Sequence, residues 1–167
     1  MGFFTDTTVC IGCKACEVAC KEWNNVPDTI GQLTGESYDN TGSLGANNWR
    51  HVAFIEQRKP VKVQEAGLEA PGVEPSESED GFRWLMSSDV CKHCTEAPCL
   101  DVCPTGSLFR TEFGTVVVQE DVCNGCGYCI PACTFGVIDR RQGDGRVWNC
   151  THSYDPHKRH MEPACAP

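Results

Sequence analysis

No run of apolar residues in this 167-residue chain approaches the roughly 20 that a helix needs to cross a bilayer, so a soluble protein without a membrane anchor of its own is expected. Positive charge is scarce as well: 14 lysine and arginine residues stand against 23 aspartate and glutamate, a net charge of −9. That balance leaves no basic face for a phosphate backbone, so nucleic acid is not an expected partner. Acidity favours solubility and a basic docking partner. Residues 1–9 show neither the charged start nor the apolar core of a secretory signal. Asp6 stands where an N-myristoylation signal needs serine or threonine. No glycine-rich nucleotide fingerprint is present, and no pair of Asp and Glu residues offers a general acid with its base.

Cysteine, by contrast, is abundant and ordered. Cys10, Cys13, Cys16 and Cys20 follow the spacing C-x2-C-x2-C-x3-C, and Cys123, Cys126, Cys129 and Cys133 repeat it. Between them, Cys91, Cys94, Cys99 and Cys103 keep the pattern with the middle gap widened to four residues. Twelve of the fourteen cysteines fall in these quartets, leaving Cys150 and Cys165. Three thiolates on one tight loop can wrap three corners of an iron-sulfur cube while the fourth cysteine starts a helix leading away. In two-cluster ferredoxins that fourth cysteine ligates the other cluster, so quartets work in pairs. Pro104 follows Cys103 as in the bacterial ferredoxin run, whereas Lys21 and Thr134 follow Cys20 and Cys133. A disulfide scaffold fits poorly, because nothing in the chain directs it to an oxidising compartment. Zinc wants two C-x2-C pairs a dozen or more residues apart, not overlapping triplets. Buried structural thiols would not recur at fixed intervals.

Between the quartets the pattern predicts short elements. A helix is expected over 16–22, ended by Asn24, Asn25 and Pro27. Residues 24–48 read as an inserted loop, 49–57 as a strand, and 65–81, with Pro71 and Pro75, as the most loop-like part of the chain. A strand over 83–86 feeds the second quartet. Hairpins are expected at 107–119 and 137–149. The fold class is α+β, with two interleaved ferredoxin-like units carrying loop insertions. Cubes take the place of much of the hydrophobic core, and Ile11, Val18, Leu100, Val102, Ile130 and Val137 are expected to pack around them and exclude water.

The run from Cys10 to Trp23, the segment Cys91-Lys92-His93-Cys94 through Cys103-Pro104-Thr105-Gly106, and the stretches 40–54 and 109–118 resemble the four-cluster iron-sulfur subunits of molybdenum and tungsten oxidoreductases. Within that family the nearest likeness is to the formate dehydrogenase beta subunit of actinobacteria, and it covers essentially the whole chain. The resemblance implies a non-catalytic electron-transfer subunit. A large molybdenum- or tungsten-bis-pterin catalytic subunit oxidises formate, and the beta subunit passes electrons through 4Fe-4S clusters to an acceptor, which can be a membrane quinone-reactive subunit or another acceptor subunit. Serving a nitrate, polysulfide or sulfoxide reductase, or acting as a freestanding polyferredoxin carrier, are the other readings.

Carried over residue by residue, the resemblance assigns one cube to Cys91, Cys94, Cys99 and Cys133 and another to Cys123, Cys126, Cys129 and Cys103. Residues 82–133 then form one unit, residues 1–23 with 134–167 the other, and 24–81 an insertion. Four clusters are expected, but this sequence departs in the fourth motif. Cys150 and Cys165 fit its first and third places, Ser153 stands at the second, and the fourth would lie four positions beyond Cys165. The cube using Cys10, Cys13 and Cys16 therefore lacks one cysteine, as does the cube using Cys150, Cys165 and Cys20. Ser153 or His152 could ligate, the terminal pair could have collapsed to one cube, or the sequence is incomplete or imperfect at its end, which is the preferred account. The expected location is cytoplasmic or membrane-peripheral within a complex, with export beside a signal-bearing partner left open.

Other residues invite assignment. His51, His93, His157 and His160 are read as solvated or as neighbours of ligands, not as ligands. Lys14 and Lys92 place positive charge near a cube, with weak effect if exposed. Trp23, Trp49, Trp84 and Trp148 are read as packing or interface residues.

Overall fold

In a computed structural model, residues 2–28, 35, 37–58, 82–154 and 160–166 are described. The expected loop at 65–81 and His157 lie outside them, as does part of the loop at 24–48.

The first quartet runs into helix α1, Ala15–Trp23. Glu17 in its first turn and Lys21 in its last suit the helix dipole. It stops where expected: Asn24 donates from its side chain to the Cys20 carbonyl at 2.8 Å, and Asn25 turns left-handed at φ 49°. Two single-turn helices occupy the same place in the next two quartets, α2 at Pro98–Asp101, opened by proline, and α3 at Cys129–Ala132. The arrangement differs from expectation in one respect. The third cysteine of each quartet sits in the helix, and Cys103 and Cys133 follow the end of theirs. A single turn is enough to swing the chain away from the loop.

Strand β1, Arg50–Arg58, pairs antiparallel with β2, Phe82–Val90, so that Arg50 faces Val90 and Phe54 faces Met86. Strand β2 is longer than the 83–86 expected and delivers the chain directly to Cys91. The predicted hairpins form as β3, Leu108–Arg110, with β4, Val116–Val118, and as β5, Asp139–Arg140, with β6, Val147–Trp148. The turn between β3 and β4 is closed by the Thr111 N–H to the Thr115 carbonyl at 2.8 Å and by the paired hydroxyls of the same two threonines at 2.7 Å. Among the described residues no helix is long and apolar enough to cross a membrane.

The buried core joins Val90, Leu108, Val116, Val137, Ile138 and Val147 to the thiols of Cys20, Cys91, Cys129, Cys150 and Cys165. Leu100 and Ile130 pack at its edge as expected, but Ile11, Val18 and Val102 are exposed. Helical geometry explains Val18. It lies two residues from both Cys16 and Cys20, about 200° around the helix at 3.6 residues per turn, and so faces away from both. Glu17, three residues from Cys20, shares the buried face instead. Ile11 points outward from a loop whose flanking cysteines are the sequence-predicted ligands. Trp49 is buried, donates from its indole N–H to the Ala46 carbonyl at 2.9 Å, and stacks on Trp148, while Trp23 and Trp84 are half exposed.

Candidate metal centres

Four loops of the protein share one backbone feature. The residue just before the second ligand position is left-handed in each: Gly12 at φ 68°, His93 at 46°, Gly125 at 69° and His152 at 53°. Glycine adopts this conformation freely, and the approach at two of these positions also needs it. A Cβ on Gly12 would lie 2.8 Å from Met86 Cγ, and one on Gly125 would lie 2.3 Å from the Gly145 carbonyl oxygen. At His93 and His152 the bend aims the backbone N–H at the preceding cysteine, with 3.4 Å to Cys91 Sγ and 3.3 Å to Cys150 Sγ. The turn 150–153 thus repeats the bend of the cysteine loops although Ser153 holds its second place. It departs one residue later, because Ser153 is itself left-handed at φ 51° and Cys13, Cys94 and Cys126 are not. Ser153 is buried, beside a pocket also lined by Trp23, Asn24, Trp49 and Tyr154.

The thiols gather in groups that cross the quartets. Cys91, Cys94, Cys99 and Cys133 line one cavity of about 30 Å³, closed mainly by Ala97, Pro98, Val116, Phe135, Val137 and Ile138. Burial pushes the Cys91 thiol up to about 11, and the charges of Cys99, Cys133 and Cys94 add to the effect. Burial and then Cys133 also raise Cys99. In a second group burial pushes Cys129 up to about 11, with Cys103, Cys126 and Cys123 as its charged neighbours. Cys103 goes the other way. Burial would raise it, but the Ser107 hydroxyl at 3.3 Å, the Leu108 backbone and Thr105 outweigh that and bring it down to about 6.

A third group joins Cys20, Cys150 and Cys165. Cys150 is enclosed and raised well above the usual thiol value by burial and then by Cys20, with Cys91 and Cys165 adding. Cys20 is pushed up to about 12 by burial and Cys165, against the pull of Arg50. Cys16 acts on both Cys20 and Cys165 and lies 3.6 Å from Ser88 Oγ. Cys10 is half-buried and Cys13 exposed. None of the fourteen cysteines is joined in a disulfide.

Thiols that resist ionising beside one another are held together by a cation that ionises them all. Among the described residues no three His, Cys, Asp or Glu side chains close on a point that would hold one metal ion. The four thiols around one apolar cavity suit instead a cube that spreads its ligands over its corners. The donor set fits a 4Fe-4S cluster.

Several neighbours of these thiols escaped the sequence reading. Asn149, wholly buried, donates to the Val116 carbonyl at 3.4 Å and approaches Cys91 Sγ at 3.9 Å while adjoining Cys150 in the chain. It bridges the first and third groups. Of the two places expected for His93, solvent or the side of a ligand, it takes the second: it is buried beside Cys91, accepts from the Val116 N–H at 3.1 Å, and is held down at about 4 by burial and then by His152. His51 is also buried, 2.7 Å from Asp39, while His160 is exposed. Lys14 and Lys92 are neutralised locally. Lys14 donates to Asp39 at 2.8 Å and lies 3.4 Å from Glu17, and Lys92 pairs with Asp89. Arg50 is buried and touches no described carboxylate within ion-pair range. The only sequence clue to Arg50 and Asn149 is adjacency to a strand or a cysteine, which many residues share.

Two models of the 4Fe-4S dicluster domain match the sequence, one over residues 9–107 and one over 82–167. The protein is 38% identical over 161 residues to the formate dehydrogenase-O iron-sulfur subunit of Escherichia coli K12, covering 96% of this chain and 47% of that protein. It is 37% identical to the formate dehydrogenase iron-sulfur subunit of Haemophilus influenzae, over 96% of this chain and 46% of the relative. It is 30% identical to a subunit of the anaerobic dimethyl sulfoxide reductase of Escherichia coli K12, over 98% of this chain and 66% of the relative. The chain thus spans about half the length of the formate dehydrogenase relatives. On these matches the chain belongs to the 4Fe-4S dicluster domain family.

Proposed function

We propose that this chain is a non-catalytic electron-transfer unit, relaying electrons through 4Fe-4S clusters between a molybdenum- or tungsten-bis-pterin formate dehydrogenase subunit and an acceptor. A 4Fe-4S cluster takes up and releases electrons at a potential set by its protein surroundings. The chain's own residues hold, shield and bias it. Cys91, Cys94, Cys99 and Cys133 hold one cluster, and Cys103, Cys123, Cys126 and Cys129 hold another. Residues 82–133 would then form one unit, interleaved with a second made from 1–23 and 134–167. Cys20, Cys150 and Cys165 serve a third cluster and Cys10, Cys13 and Cys16 a fourth, each one cysteine short in this sequence. Apolar lining such as Val116, Val137 and Ile138 keeps water from the first site.

The observation that carries this reading is the meeting of Cys133 with Cys91, Cys94 and Cys99 around one apolar cavity. That is the exchange of a fourth ligand expected when two clusters are built by paired quartets. The formate dehydrogenase relatives, at higher identity than the sulfoxide reductase one, favour formate as the partner's substrate.

The test is anaerobic purification of the native complex, with subunits identified by mass and formate-dependent dye reduction measured beside metal content. A large metal-pterin subunit, formate activity and about sixteen irons on this chain are expected for four cubes. Sulfoxide-dependent oxidation of a reduced dye without formate activity would move the chain to the sulfoxide reductase reading. A lone chain that binds iron and co-purifies with nothing would make it a freestanding carrier.

A further inference from the structure

We propose that Arg50 is a built-in counter-charge for the iron-sulfur group held by Cys20 and Cys165, next to Cys16 of the neighbouring group, a positioning residue that makes reduction there easier than the thiols alone would allow. The inference rests on the cluster reading above and deepens it, since it says which residue biases one end of the electron route.

Arg50 opens β1 and is only 6% exposed. Among the described residues its guanidinium donates one hydrogen bond, from Nη1 to Ser88 Oγ at 3.2 Å, and it lies 4.5 Å from the centre of the Phe3 ring. Nε is buried and has no acceptor among the described residues. Every ion pair among the described residues is made by another basic side chain. A guanidinium cannot escape the cost of burial by losing its proton, so it needs an anion nearby.

The chain has carboxylates to spare at a net charge of −9, yet none of the described ones is placed there. What faces Arg50 instead is sulfur. Its charge acts on the Cys20 and Cys165 thiols, and Ser88, its hydrogen-bond partner, lies 3.6 Å from Cys16 Sγ. Thiolates bound to iron are the anions that complete this arrangement. Because reduction adds negative charge, a fixed cation in a water-poor surrounding favours the reduced form and raises the potential. Lys14 and Lys92, already paired with carboxylates, exert much less net field.

The test is a redox titration, followed by electron paramagnetic resonance, of the native iron-loaded protein against its Arg50→Gln and Arg50→Lys variants. In Arg50→Gln at least one midpoint should fall by about 59 mV or more, a tenfold change in the one-electron equilibrium. Arg50→Lys, which keeps the charge, should shift that equilibrium by less than about threefold. Unmoved midpoints in Arg50→Gln, or equal shifts in both variants with normal iron, overturn the proposal. If Arg50→Gln fails to load iron, Arg50→Lys decides: near-native midpoints support the counter-charge, and a second failure to load overturns it. A wild-type protein that binds no iron at all would instead sink the cluster reading, and this inference with it.

Discussion

The region around Cys91 and the region around Cys20 draw on similar cysteine patterns but are built differently. Around Cys91 four thiols line a closed apolar cavity, and the only charged side chain among its described lining residues, Lys92, is paired with Asp89. Around Cys20 the thiols border a polar network: Glu17 is buried, accepts from the Thr41 hydroxyl at 2.6 Å and from the Val52 N–H, and meets Lys14, which in turn bonds Asp39. Asp39 continues the network to His51. One site is insulated by hydrocarbon; the other is fastened by charge. A spacing motif specifies where ligands fall along the chain but not the dielectric they fall into, and that surrounding is a main lever on a cluster's potential.

The largest effect expected is from Cys91→Ser. It removes a ligand from the enclosed group, and iron per chain should fall by about four, one cube. Cys13→Ser, at an exposed position on the loop leading into α1, should cost less iron, and equal losses from Cys91→Ser and Cys13→Ser would erase the contrast between an enclosed and an exposed ligand position. Next in size is Glu17→Gln, which removes the charge of a buried carboxylate that accepts from Thr41 and Val52, while Lys14 keeps Asp39 as a partner. It should destabilise the protein by about 2 kcal/mol in urea unfolding, the usual worth of hydrogen bonds to a charged group. A change below about 1 kcal/mol would mean that charge does not fasten this region.

Smaller is Ser107→Ala. It deletes the hydroxyl 3.3 Å from Cys103 Sγ, and the midpoint of the group containing Cys103 should become more negative, since a hydrogen bond to sulfur favours the reduced form. A positive shift would contradict it. The smallest concerns acidity. Asp39 is held below the ordinary carboxylate value: burial would raise it, but bonds from Lys14 and His51 prevail. Its contribution to stability is therefore complete above about pH 4 and is lost as pH falls through its depressed folded value. Wild-type protein should lose part of its stability below that pH, and Asp39→Asn should show a shallower dependence. Parallel acid profiles would remove Asp39 from the network.

Much of the site was legible because spacing is a local property. The quartets, the helix after Cys13 and the hairpins after Cys103 and Cys133 all follow from residues within a few positions of one another. The sequence also placed Val137 correctly in the core, since it adjoins a hairpin with a buried face. It misplaced Val18, because apolar character was read without the rotation of the helix that carries it. For His93 the sequence leaves two places open, solvated or neighbour of a ligand, and does not choose between them. Its burial depends on Val116, 23 residues away, across the β3–β4 hairpin.

By itself the sequence determined the chemistry: fourteen thiols, twelve of them in iron-sulfur spacing, on an acidic chain. The resemblance already grouped Cys133 with Cys91; only the tertiary structure decided what else surrounds each thiol. Asn149 reaches Cys91 across 58 residues, and Arg50 comes to lie by Cys20 and Cys165 with no described carboxylate beside it. Ligand identity is a matter of side-chain type and short-range spacing, whereas burial and field are sums over everything that folding brings near, and no local pattern records such a sum.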